Sequence, residues 1–195
     1  MKEVIPLTFT FVGISLSIAA IVAAGNGSIP LSFGFALLAF GCDILDGFFA
    51  RRLQVASNAG RIADSCADVP LYLLYPAVVV LHFFGEGILI VALLVFVASG
   101  IFRLIRFTRR GFMVNDGALA YEGVPVFFSL PLLGGLIAAH EFGAVPPVAL
   151  VVFTCLGLSI LMVSRVPVSK VTEPRVLIVI IGVIGLAALA LLWIR

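Results

Sequence analysis

Asp43-Ile44-Leu45-Asp46-Gly47-Phe48-Phe49-Ala50-Arg51, followed after eight residues by Gly60-Arg61-Ile62-Ala63-Asp64-Ser65-Cys66-Ala67-Asp68, decides the reading of this chain. The two segments form one pattern, D-x2-D-G-x2-A-R-x8-G-x3-D-x3-D. It places four carboxylates within 26 residues of a very apolar sequence. A carboxylate at membrane depth is costly and is retained where it has a partner and a task. No Lys or His lies between Asp43 and Asp68, and Arg51, Arg52 and Arg61 cannot neutralise four acids on a common focus. Bound divalent metal is the simplest source of the missing positive charge, and four Asp could hold two ions.

The spacing makes convergence geometrically reasonable. Asp43 and Asp46 stand at i and i+3, and Asp64 and Asp68 at i and i+4. On helices, such pairs share a face with Cβ atoms roughly 5–6 Å apart. Ala50 continues the first stripe and Gly60 begins the second, which leaves room beside the acids for a flat, bulky ligand. Arg52 to Ala59 is polar enough for a turn joining two antiparallel helices. The alternative is four unrelated Asp acting as helix caps or ion-pair partners. Eight fixed positions, each filled by chance roughly one time in twenty, argue against it.

The composition carries the pattern into a membrane. Of 195 residues, 63% are hydrophobic and 11% charged, and the mean hydropathy is +1.28. That is the composition of an integral membrane protein. Apolar stretches near 6–25, 29–51, 60–82, 87–108, 121–140, 145–163 and 175–194 are long enough to cross a hydrocarbon core of about 30 Å. The expected fold is therefore an all-α bundle forming one transmembrane domain over 1–195, with no soluble domain. The first stretch reads as a retained helix, since it is too long for a signal peptide and lacks a small-residue cleavage site. With the N-terminus inside, the inner loops collect 11 of the 12 basic residues, and only Arg195 falls outside. The positive-inside rule then puts the Asp cluster at the cytoplasmic face of a multi-pass cell-membrane protein. Cys42, Cys66 and Cys155 lie inside expected helices and imply no disulfide framework. Oxygen donors favour Mg, Ca or Mn over a thiolate-bound metal. His82 and His140 fall in outer turns, far along the chain from the acids.

The eight-position pattern resembles the signature of the CDP-alcohol phosphatidyltransferases, with every fixed residue and spacing matched. Arg103-Leu104-Ile105-Arg106-Phe107-Thr108 and Tyr121-Glu122-Gly123-Val124-Pro125 extend the resemblance to the bacterial and archaeal phosphatidylserine synthase branch. So does Leu161-Met162-Val163-Ser164 before a basic loop. Four features depart from that branch. Thr108 stands where Asn is usual, and Phe127 replaces a second Pro. Tyr72-Leu73 replaces the usual Phe-Gly after the last Asp. Thr8 and Thr10 are the nearest hydroxyl substitutes for an Asn that helps hold the nucleotide diphosphate.

The resemblance implies a six-helix CDP-alcohol phosphotransferase-type core, here with a seventh transmembrane helix. It implies transfer of a phosphatidyl group from a CDP-lipid to a small alcohol, with release of CMP. Asp43, Asp46, Asp64 and Asp68 are the implied ligands of two divalent cations, Mg or Mn, and Asp68 doubles as the general base. CDP-lipid binding falls to Asp43, Gly47, Ala50, Arg51, Gly60 and Asp64. Gly47 and Gly60 would admit the cytidine and ribose, and Arg51 would meet the diphosphate with its planar fork. Arg103, Arg106, Arg165 and Lys170 are candidates for the acceptor site, with juxtamembrane anchoring as the alternative role for the first pair. L-serine is the expected acceptor, with inositol phosphate and glycerol phosphate as alternatives. A homodimer is implied, in contact with membrane lipids and with no nucleic-acid partner. A cation- or proton-coupled carrier is the competing class, but it predicts repeats and midplane helix breaks that the sequence lacks.

Overall fold

A computed structural model describes residues 4–169 other than 56, 86, 116, 117 and 142. The expected span at 175–194 and the acceptor candidate Lys170 lie outside the described residues. The chain divides between His82 and Phe83 into two compact units.

The first unit opens with α1 (Val4–Gly25) and α2 (Ile29–Arg52), which pack along each other. The buried residues of α1 are Thr10, Gly13, Ser17, Ala20, Ala23 and Ala24, all small. Their three- and four-residue spacing makes one narrow stripe. Ser32, Ala36 and Ala39 of α2 are small and buried too. In lipid there is no hydrophobic drive between helices, so close backbone approach through small residues takes its place. Gly13 marks the tightest point: a Cβ there would stand 3.3 Å from the Cβ of Cys42 and 3.6 Å from the Ala39 carbonyl. Two hydrogen bonds close the turn to α2, Gly27 N–H to Ala24 O and Ser28 N–H to Ala23 O. Gly27 takes the positive φ of 76° that the reversal requires.

After Arg52 the chain turns through Gln54 and enters α3 (Asn58–Asp68). Ser57 caps that helix, accepting from Gly60 N–H at 3.0 Å. A π-helical turn, Val69–Leu74, joins α3 to α4 (Tyr75–Phe84), so that Ala59–Phe84 is one continuous apolar rod. Pro70 lacks the N–H of a regular α-helical bond and its ring crowds the carbonyl four residues earlier. The Tyr75 N–H reaches back five residues to Pro70 O and closes the wider turn.

The second unit contains α5 (Ile88–Arg110), α6 (Ser129–Glu141) and α7 (Val148–Val163), with α7 packed against both others. Counting Ala59–Phe84 as one rod, the described residues hold six helices, as expected for the core. Val4–Gly25, Ile29–Arg52, Ala59–Phe84 and Ile88–Arg110 are long and apolar enough to cross a membrane. The fifth and sixth expected spans are shorter as helices, Val126–Leu136 and Val148–Val163.

The stretch expected to begin a helix at 121 instead forms strand. A small antiparallel sheet of β1 (Met113–Asn115), β2 (Ala118–Glu122) and β3 (Pro167–Ser169) has β2 in the centre. Met113 pairs with Ala120, and Glu122 with Pro167. Gly123 ends β2 with φ +80°. A Cβ there would meet Met162 O at 2.6 Å, Ser164 O at 2.7 Å and Arg106 Nη2 at 2.8 Å. Only glycine fits where the chain crosses the end of α7.

Candidate active site

Three carboxylates from two separate helices converge in the first unit. One oxygen each from Asp43, Asp64 and Asp68 lies within 4.8 Å of the others. Helical periodicity explains half of this geometry: Asp64 and Asp68 are one turn apart on α3. The return of α3 and its π turn against α1, with the π turn also touching α2, brings that pair opposite Asp43. The field is repulsive, with Asp43 acting against Asp46 and both acting against Asp64, while Arg51 attracts Asp46 and Asp64. Like charges this close in an apolar surrounding call for a counter-charge. The all-oxygen donor set suits a hard divalent cation.

Hydroxyl groups hold two of the acids. Tyr72 donates to Asp43 Oδ2 at 2.6 Å, and Thr10 donates to Asp46 Oδ2 at 2.8 Å. Thr10 Oγ1 also lies 3.2 Å from the Pro6 carbonyl, so the single hydroxyl hydrogen favours the nearer carboxylate. Asp46 is buried against α1 at 5% exposure. It shares with Asp43, Thr10, Gly13 and Ala67 the wall of a small cavity of about 10 Å³, near the size that admits one water. Among the described residues, then, Asp43, Asp64 and Asp68 form the tight group, and Asp46 sits beside it on a hydroxyl tether.

The other residues singled out in the sequence fall as follows. A Cβ on Gly47 would stand 3.3 Å from Arg51 Nη1, so the missing side chain lets the guanidinium fold over the backbone. Ala50 is half-buried, while Arg51 and Gly60 are exposed at the end of α2 and the start of α3. A Cβ on Gly60 would lie 3.4 Å from Ser57 Oγ, an ordinary contact. The protein's own packing therefore does not require glycine at that position.

The basic candidates of the second unit have distinct surroundings. Arg103 is 4% exposed and lies over a pair of touching rings, Phe107 at 5.3 Å and Tyr121 at 5.4 Å. Arg106 donates to the carbonyls of Glu122, Met162, Val163 and Ser164 over 2.7–3.0 Å. It satisfies carbonyls that the end of α7 leaves without helical partners. Arg165 is exposed, with Nε 3.8 Å from Glu122. Glu122 also accepts from Arg110 at 3.2 Å through both carboxylate oxygens and lies 3.9 Å from Arg106. It is the acidic hub of this corner, a role that its place in the sequence motif does not reveal. Tyr72 stands out in the sequence only as a departure from the branch. At regular helical spacing it would drift about 80° from Asp64, so its spacing alone does not place it with the acids.

Fold and site together define a multi-pass helical membrane protein whose first unit carries an oxygen-donor acidic centre. Residues 3–160 match the sequence profile of the CDP-alcohol phosphatidyltransferases, and the chain belongs to that family. Members of the family use divalent cations. The chain is also similar to the CDP-diacylglycerol–serine O-phosphatidyltransferase of Methanocaldococcus jannaschii, at 28% identity over 113 residues. That match covers 55% of this chain and 56% of the relative, so the chain spans about half the length of the curated protein it matches.

Proposed function

We propose that the protein transfers a phosphatidyl-type group from a CDP-lipid to L-serine, releasing CMP, in phospholipid biosynthesis. The observation that carries this reading is the meeting of Asp43, Asp64 and Asp68 within 4.8 Å, inside a complete eight-position signature. Serine as acceptor rests on the relative named above. Inositol phosphate and glycerol phosphate are the competing acceptors within the same chemistry.

In this reading Asp43, Asp46, Asp64 and Asp68 hold two divalent cations, Mg or Mn. Such cations neutralise a diphosphate and stabilise attacking and leaving oxygens. The donor set fits them, being all carboxylate oxygen, with Tyr72 and Thr10 orienting two of the acids. Asp68 takes the proton of the acceptor hydroxyl. A bond then forms from the serine oxygen to the lipid-bearing phosphorus, the bond from that phosphorus to the bridging oxygen breaks, and CMP leaves with that oxygen. Arg51, freed by Gly47 to lie along the helix, receives the diphosphate. Ala50 and Gly60 leave space for the nucleotide.

Arg103, Arg106, Arg165 and Lys170 are the acceptor-side candidates. Arg165 is the most accessible of those described. Arg106 would have to exchange carbonyl partners to take part. The whole chain, 1–195, acts as one membrane domain with the N-terminus and site on the cytoplasmic side, and as a homodimer.

The direct test is CMP release by purified protein given CDP-diacylglycerol (or its ether equivalent), Mn and labelled serine. Release with serine supports the assignment in full. Release only with another alcohol would move the acceptor and leave the transferase class standing.

A further inference from the structure

We propose that Tyr72 is a positioning residue for the acidic centre: its hydroxyl, presented by the π turn, holds the Asp43 carboxylate in the orientation in which it meets Asp64 and Asp68. This rests on the metal-binding reading of those acids.

Helix geometry accounts for the placement. Residues four apart in an α-helix overshoot a full turn by about 40°. Asp68 is therefore rotated by that amount from Asp64. A regular helix continuing to residue 72 would double the drift to about 80° and swing Tyr72 off the acidic face. The π turn over Val69–Leu74 holds roughly one more residue per turn, so four residues within it fall short of a turn instead of overshooting. The shortfall cancels the drift, and Tyr72 returns to the line of Asp64 and Asp68. The Tyr75-to-Pro70 bond and the missing N–H of Pro70 are the local causes.

The hydroxyl so placed lies 2.6 Å from Asp43 Oδ2, the length of a charge-assisted bond. Tyr72 is 2% exposed, and its ring meets Phe40 edge-on at 6.3 Å. Phe40 belongs to the same helix as Asp43, three residues earlier. Ring and hydroxyl thus engage α2 at adjacent points, and the ring fixes where the hydroxyl can go. Orienting partners behind a metal ligand typically account for 10–100-fold in metal affinity.

The experiment is Mn titration of the purified protein without CDP-lipid, reading free Mn by electron paramagnetic resonance. Wild type, Tyr72→Phe, Tyr72→Leu and Asp43→Ala are compared, with the ligand-free melting temperature measured for each. The expected result is Mn binding by the wild type, loss in Asp43→Ala, and weakening of roughly tenfold or more in Tyr72→Phe. The Phe variant should melt close to wild type. Tyr72→Leu should lose as much Mn affinity as Tyr72→Phe while melting lower, because it also loses the ring. Undiminished Mn affinity in Tyr72→Phe overturns the positioning role alone. A Tyr72→Phe protein without a melting transition would assign the hydroxyl to folding and overturn it too. A wild type that binds no Mn removes the metal centre and this role together.

Discussion

At the scale of single residues, the chemistry separates groups that react from groups that hold. Asp68 lies in the tight carboxylate group and is the proposed base. Asp68→Asn should lower turnover by about 10²–10⁴-fold, the range of general-base catalysis, while CDP-lipid binding largely survives; unchanged turnover would refute the role. Thr10 belongs to the second class. Thr10→Val keeps the shape and removes the donor to Asp46 Oδ2, so Mn affinity should fall by roughly tenfold with KM for the acceptor unmoved. A change confined to acceptor KM would instead place Thr10 in substrate contact. The four acids were legible in the sequence because carboxylates at one-turn spacing are too costly in an apolar chain to stand without a counter-charge. The tethers were not: a Ser or Thr hydroxyl on a membrane helix usually bonds its own backbone, as Thr8 does to Val4 O and Ser17 to Gly13 O, and Tyr72 reaches its acid only through the π turn. Only the packed structure shows that Thr10 and Tyr72 reach across to another helix.

At the scale of elements, the corner formed by α5, β2 and the end of α7 depends on one cation. Arg106 closes it through four carbonyls, and Gly123 supplies the clearance. Arg106→Met should destabilise the protein by about 1.5–3 kcal/mol, the range for hydrogen bonds to a charged group, because its carbonyl partners are only partly buried. Thermal melting in detergent reads this directly. Gly123→Ala should also lower the melting temperature, from the left-handed backbone and a Cβ 2.6 Å from the Met162 carbonyl together. Glu122→Gln should cost much less, because Arg110 and Arg165 are solvent-exposed partners whose pairs are weak. A Glu122→Gln effect as large as that of Arg106→Met would contradict the carbonyl-capping role. The small sheet was hidden in the sequence for a physical reason. Strands of three to five residues carry too little alternation to show against an apolar background. The π turn was hidden too, since Pro70 inside an apolar run signals disturbance but not its kind.

At the scale of the whole molecule, membrane placement and reaction class come from different features. Long apolar helices give the first, and charge asymmetry gives its proposed direction. In a cysteine-free background, a membrane-impermeant maleimide should label Asn26→Cys on intact cells and Gln54→Cys only after the membrane is opened. Both turns are exposed, so accessibility does not favour either; the reverse labelling would invert the topology. The helical core was legible because hydropathy reads membrane spans well, and the last expected span lies beyond the described residues. The reaction class rests on the acidic centre and on family membership. It is tested most directly by CMP release from CDP-diacylglycerol with labelled serine and Mn, wild type beside Asp68→Asn. Serine-dependent CMP release with labelled lipid product in the wild type, lost in the variant, is the predicted result. Absence of CMP release with serine, inositol phosphate and glycerol phosphate alike, from folded protein that binds Mn, would contradict the transferase assignment.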